Sequence, residues 1–409
     1  MTNPDINSEN SSQSNLDSTF EVQPEQQPVF QGATKLNIGV LKEKSKDEKR
    51  VALTPQDVEL IASSGYNVFV EKEAGIGANY SDLDYSEVGA KIIEKDEEVL
   101  KKSDIICKIA PLDNREINLC NSNSTIISAI NMSTMTRKTL INMQKKNLTA
   151  LAYEFFSDTS GFNPFLHSIG EIIGTSAIMI ASEMLTSTNG GRGIMFGGIT
   201  GLPPTNIIIL GTDIAAEYAL RIAMSLGANV KVFDNSLHNL MRFRNIFGQN
   251  LYTSPLNYAN LRKEFESADV VINSIIRKKN MDFIITDSLV RSMKKGAIII
   301  DLKVDQRSIV ETSRVTSFDS PTYVYSDVTH YCVPNLASRV ANSSSIVISN
   351  LLSNFVLEIL HQGSIIPFLQ YQSSIKNATY MFKGVITNRI VAETFDLKFT
   401  DLNFIVHVF

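Results

Sequence analysis

Cysteine and histidine are both scarce. The three cysteines, Cys107, Cys120 and Cys332, are odd in number and form no CxxC pair, so neither a disulfide framework nor a structural zinc site is indicated, and a reducing compartment fits. The five histidines, His167, His238, His330, His361 and His407, include no HExxH pair, and none stands beside a GxSxG elbow. Metalloprotease and serine-hydrolase chemistry therefore lack their motifs, and no metal site is expected. There is no dense block of Lys and Arg either. With 38 Lys+Arg against 43 Asp+Glu and a formal charge of −5, the chain has no footprint for nucleic acid or an anionic membrane. The longest nearly apolar stretch, residues 172–185, is too short to cross ~30 Å of hydrocarbon and contains Glu183; it reads as a buried helix. The start, MTNPDINSENSSQS, lacks the basic-then-apolar order of a secretory signal. These exclusions leave a soluble, cytoplasmic protein with small-molecule partners.

What is present is enough chain, 409 residues, for two or three domains. Residues 1–34 are rich in Asn, Ser, Gln, Asp, Glu and Pro, a composition that cannot bury enough apolar area to offset the entropy of ordering, and they are expected to form a disordered tail. From residue 35 the pattern changes. KLNIGVLKE reads as a strand, Thr54-Pro55 opens a helix with proline at its first position, Gly65 closes it, and a second strand follows. Strand-like and helix-like segments keep alternating to about residue 160, which is the pattern of a mostly parallel sheet covered by helices. The long helical segment SIGEIIGTSAIMIASEMLTS and the Gly-rich NGGRGIMFGGITGLPP then mark a boundary. A second α/β unit follows. The expected architecture is α/β, with two Rossmann-like doubly wound domains and a cleft between them. One domain is built from residues 35–160 plus 343–409, the other from 161–342.

The second unit carries a dinucleotide signal. The strand Ile207 to Leu210 runs into Gly211, a helix follows, and Asp234 ends the next strand. In such a βαβ unit a tight Gly turn brings backbone N–H groups to a pyrophosphate, and the acid holds ribose hydroxyls. NAD is the expected cofactor; NADP is disfavoured, because Asp234 would repel a 2′-phosphate. The fingerprint is nevertheless incomplete. It reads Gly211-Thr212-Asp213-Ile214-Ala215-Ala216, with Asp213 where a second glycine would let a phosphate approach the main chain. At an assumed ~5 Å and an effective dielectric of ~20, one like-charge pair costs roughly 3 kcal/mol, on the order of a hundredfold in affinity. Asp213 can also cap the helix and occupy N–H groups that a phosphate would use.

The motifs IGVLKE, KRVALTP, GYNVFVEKEAGIGANYSDLDY, LAYEFF, GGRGIMFGGITGLPPTNIIILG, VRSMKKGAIIIDL, VDQ and HYCVPN follow one another in order. Together they resemble the family of alanine dehydrogenases and pyridine nucleotide transhydrogenase alpha subunits, from Ile38 to about Leu360, and sit closer to the alanine dehydrogenase branch. The resemblance implies NAD(H) bound by the central domain, a small amino or keto acid as substrate, interconversion of L-alanine with pyruvate and ammonia, and a homo-oligomer. It assigns Arg50 to the substrate carboxylate, a role suited to a guanidinium. It places Asp305 near the nicotinamide and substrate as a catalytic residue that orders ammonia or water, and Asn335 in the lining of the nicotinamide pocket. Departures are as specific. Ala110 stands where the family has a substrate-binding lysine, with Lys108 two residues earlier as the nearest substitute. Asn131 stands where the family has its catalytic histidine, and an amide cannot exchange a proton near neutral pH. Arg307 and Ser308 replace two glycines after Asp305, and Gly170 replaces a serine. The transhydrogenase loop of Arg, Gln and Asp would fall on Thr159, Gly161 and Pro164, which cannot do the same work. A working dehydrogenase, a soluble NAD(H)-binding transhydrogenase-like module and a non-catalytic scaffold all remain open on the sequence.

Overall fold

The computed structural model describes residues 36–277 and 283–406; the tail expected over residues 1–34 lies outside them. In chain order the strands are β1 (Ile38–Val40), β2 (Val68–Glu71), β3 (Lys91–Ile93), β4 (Ile105–Cys107), β5 (Thr125–Ser128) and β6 (Thr149–Ala152). Then come β7 (Asn206–Leu210), β8 (Asn229–Phe233), β9 (Tyr252–Ser254), β10 (Val270–Asn273), β11 (Ile298–Asp301), β12 (Thr322–Tyr325) and β13 (Val328–Tyr331). A terminal pair, β14 (Thr379–Phe382) and β15 (Val385–Ile386), closes the series.

They form two sheets. The first has the order β15-β14-β6-β5-β4-β1-β2-β3, and the second β12-β13-β11-β10-β7-β8-β9. From β1 to β6 and from β7 to β11 and β13 the pairings are parallel; β14, β15 and β12 add antiparallel edges. Each sheet is thus doubly wound about its first strand, and the order reverses between β1 and β4 in one and between β7 and β10 in the other. At such a reversal the flanking loops leave in opposite directions and open a crevice at the carboxyl ends of the strands, where ligands bind in open α/β sheets.

Strand residues alternate between two cores, as the two-residue period requires. Ile105 and Cys107 face one cluster while Ile106 faces another; in the second sheet Ile207 and Ile209 oppose Ile208 and Leu210. The near-continuous Ile/Val runs follow from burial on both faces. Pro55 starts the Pro55–Ser63 helix as expected. The carboxylate of Asp57, buried in that helix, accepts hydrogen bonds from Ser349 and Ser353 of the Ala341–Gln362 helix, which ties the chain's late segment onto its first sheet. The apolar stretch at 172–185 lies in the Pro164–Leu185 helix, but only one side is buried. Gly170, Gly174, Ala177 and Ala181 face inward, while Leu166 and Met179 are exposed. Two segments, Pro164–Leu185 and Leu336–Gln362, have the length and hydropathy of a membrane span; each packs one face into the cores of the sheets.

Candidate functional site

The crevice of the first sheet is built by the loop after β1 and the turn after β4. Glu43 in the first loop reaches the second: its Oε1 accepts the N–H of Ile109 at 2.7 Å and that of Ala110 at 3.3 Å. Burial pushes this carboxyl up to about 8, against the pull of Lys108 and the two backbone N–H donors. Lys108 is itself buried and donates to both oxygens of Glu116, at 2.9 and 3.1 Å. Glu116 is fixed in turn by a capping box with Asp113 at the start of the Asn114–Leu119 helix. The Lys108 ammonium is therefore committed to a structural pair.

Arg50 is 9% exposed and is held by a fork. Its Nε donates to Glu48 Oε1 at 2.7 Å and its Nη2 to Glu48 Oε2 at 2.6 Å, a bidentate arrangement that fixes the guanidinium plane. Nη2 also donates to Asn335 Oδ1 at 3.0 Å, and Asn335 Nδ2 returns a bond to Glu48 Oε2 at 2.6 Å. Asn335 follows β13 of the second sheet, so this triangle joins the two halves of the cleft. Lys49 N to Ser338 Oγ (2.7 Å) and Phe318 N to Asp47 Oδ1 (3.1 Å) fasten the same loop. Among the described residues, none engages Nη1 of Arg50, which leaves one edge of the guanidinium for an anion.

Asn131, beyond β5, has φ +42°, a left-handed conformation that asparagine tolerates better than most residues. Its N–H donates to Glu154, and its Oδ1 accepts from Ser133 at 2.7 Å. Glu154 is raised by burial and takes the N–H of Ile130 as well.

In the second sheet, Gly211 has φ +106° and its α-carbon lies so near Ser274 that a Cβ would meet that residue's backbone at 3.1 Å. Both facts require glycine there. Asp213 caps the Ile214–Ser225 helix, its Oδ1 accepting the N–H of Ala216 at 2.9 Å and the hydroxyl of Ser274. Its Oδ2 lies 2.9 Å from Lys303 Nζ. Asp234 accepts from Thr212 Oγ1 at 2.7 Å and from the N–H of Ser236 at 2.7 Å. Asp305 lies in a single 3-10 turn, Val304–Gln306, after β11. Among the described residues its Oδ1 is buried without a hydrogen-bond partner, and burial raises its carboxyl above the ordinary range, opposed by its own backbone N–H and by Lys303.

Two family models cover most of the chain: alanine dehydrogenase/PNT, N-terminal domain, over residues 39–173, and alanine dehydrogenase/PNT, C-terminal domain, over 177–389. The chain belongs to this family. Among its relatives, an alanine dehydrogenase of Methanococcus maripaludis is 30% identical over 365 residues, covering 89% of this chain and 97% of that one. A solved L-alanine dehydrogenase superposes with a TM-score of 0.79 at 28% identity, covering 88% and 99% of the two chains. A transhydrogenase structure from Sinorhizobium meliloti shares the fold, with a TM-score of 0.71 at 20% identity over 87% and 99%.

At two of the positions where the sequence differs from the expected family pattern, the backbone geometry is specific. Gly170 has no room for a side chain, because a Cβ would come within 2.9 Å of the Ile214 side chain where the Pro164–Leu185 and Ile214–Ser225 helices cross. Arg307 keeps a left-handed φ of +68° without being glycine. Reading the sequence did not single out Glu43, Glu48 or Lys303, which the fold brings to the two crevices. Glu43 and Glu48 lie in the charged run KEKSKDEKR, which by composition is simply a solvated loop; only Glu48's spacing of two from Arg50 hints at the pair.

Proposed function

We propose that this chain is an NAD-linked oxidoreductase of the alanine dehydrogenase type, interconverting L-alanine with pyruvate and ammonia, and that its acid/base machinery is weaker than its relatives'. The observation that carries this reading is the Arg50–Glu48–Asn335 triangle, a guanidinium locked in plane across the cleft with Nη1 left for a substrate carboxylate. The residues fit a dinucleotide. Gly211 keeps the tight turn, Asp234 stands at the end of β8 for ribose hydroxyls, and the orphaned Asp305 Oδ1 fits a ligand donor. When bound, the nicotinamide would accept or supply the hydride.

In this mechanism Arg50 binds and orients the substrate carboxylate, and Glu48 and Asn335 prevent the guanidinium from rotating. Asp305 accepts a hydrogen bond from the substrate nitrogen or from the attacking water. Asn131 can hold a water but cannot move a proton itself, so the proton passes through that water, and the rate is expected to fall ~10² to 10⁴ below that of an enzyme with a positioned histidine. Lys108 is left out, because its side chain is buried and both oxygens of the equally buried Glu116 hold its ammonium. The exposed side of the Pro164–Leu185 helix, with a groove of about 670 Å³ lined by Ile172, Met179, Val340 and Val347 together with Glu171, Arg339 and hydroxyl side chains, supports a homo-oligomer. A cytoplasmic location agrees with three unpaired cysteines.

A non-catalytic scaffold is the second reading, favoured by Ala110 and Asn131 together, which stand in place of the family's substrate-binding lysine and its catalytic histidine. NADH titration followed by assay of NAD-linked alanine oxidation and pyruvate amination separates the two. Binding with slow turnover supports the enzyme; binding with no turnover in either direction leaves the scaffold. Failure to bind NADH at millimolar concentration removes the enzyme reading.

A further inference from the structure

The second position of the dinucleotide turn holds an acid, and an acid there repels a pyrophosphate. In the folded protein that acid is not alone. Lys303, two residues beyond β11, reaches across the crevice to place Nζ 2.9 Å from Asp213 Oδ2, while Ser274 after β10 donates to Oδ1. The three residues come from the carboxyl ends of β7, β10 and β11, adjacent strands at the order reversal of the second sheet. The lysine side chain is 19% exposed and the aspartate 38%, so the pair borders the crevice rather than lying under it. An ammonium has three N–H donors, and Asp213 uses one.

We propose that Lys303 is a cofactor-binding residue, which neutralises Asp213 and directs its remaining donors at the pyrophosphate of the dinucleotide. The pair cancels the repulsion of the acid; the Asp213 side chain still fills the space a glycine would leave open, so the lysine's donors stand in for main-chain N–H groups at the phosphate. Asp213 keeps its cap on the Ile214–Ser225 helix through Oδ1, and the phosphate meets a neutral pair with a spare donor in place of a bare carboxylate. The carboxylate in turn holds the flexible lysine in position before the ligand arrives. This inference rests on the reading that the crevice takes a dinucleotide.

The test is a double-mutant cycle on the full chain, read by NADH binding and not by activity. The chain has no tryptophan, so the emission of NADH itself, or calorimetry, is the readout. Lys303→Met leaves an unneutralised carboxylate and is expected to weaken NADH binding on the order of a hundredfold. Asp213→Asn preserves the cap, since asparagine is as good a cap as aspartate, and is expected to bind NADH at least as tightly as the wild type. In the Asp213→Asn background, Lys303→Met should cost at most about tenfold, because only a phosphate contact is then lost. Equal losses in both backgrounds would show that the two residues act independently and overturn the proposal, as would an unchanged affinity in Lys303→Met. If neither wild type nor Asp213→Asn binds NADH at millimolar concentration, the dinucleotide reading fails and takes this proposal with it. Loss confined to the Lys303→Met protein, with Asp213→Asn/Lys303→Met recovering, supports it.

Discussion

Arg50 and Asn335, 285 positions apart in the chain, meet at 3.0 Å across the cleft and share Glu48 as a common partner. The loop after β1 and the loop after β13 are thereby fixed to each other at the point where the proposed mechanism holds the substrate carboxylate. Removing one corner should loosen the other two. Asn335→Ala is expected to raise the KM for pyruvate roughly tenfold, with a smaller fall in kcat, and to lower stability by about 1 kcal/mol for the lost hydrogen bonds. Steady-state kinetics and urea denaturation check both parts; an unchanged KM would separate Asn335 from substrate orientation.

Glu43 makes stability depend on pH in a direction unusual for a carboxylate. Its folded value lies near 8 and its ordinary value near 4.5, so between those limits the folded protein holds a proton that the unfolded chain has released. Stability therefore falls as pH rises through that window. Glu43→Gln should remove this dependence and be the more stable protein above pH 8, by roughly 1–3 kcal/mol. Urea midpoints of the two proteins from pH 5 to 9 give the comparison, and parallel curves would exclude Glu43 as the source.

In the proposed function Asn131 and Ala110 stand in place of a catalytic histidine and a substrate-binding lysine, and restoring both should raise the rate. Asn131→His combined with Ala110→Lys is expected to raise kcat for pyruvate amination at least tenfold, and to introduce a pH profile with an ionisation near that of histidine. Circular dichroism confirms that the fold survives. A doubly substituted protein that is folded, binds NADH and gains no rate would place the proposed deficit elsewhere.

Arg307 occupies φ +68° just past the turn that carries Asp305. A left-handed conformation strains any residue with a Cβ, so Arg307→Gly is expected to stabilise the protein by up to about 1 kcal/mol despite glycine's greater freedom when unfolded. A raised denaturation midpoint with unchanged NADH affinity is the expected result.

The sequence by itself determined the parts of this protein that rest on local chemistry. The alternation of Ile/Val runs with amphipathic segments dictated two parallel sheets, because strands buried on both faces need continuous apolar character. Pro55 dictated a helix start, and Gly211 a turn that only glycine can make. Asp213 as a helix cap was legible for the same reason, since a cap involves residues three apart. Only the tertiary structure decided the partners of the charged groups. Lys108 is two residues from Ala110 and was a reasonable substitute for a missing lysine, yet Glu116 on the following helix captures it. Lys303 had no visible role, and 90 positions separate it from Asp213. Ion pairs and hydrogen bonds form between strand ends that are neighbours in a sheet but distant in the chain. Their energies depend on separations of a few ångströms and on burial, and neither quantity is encoded in the spacing of residues along a sequence.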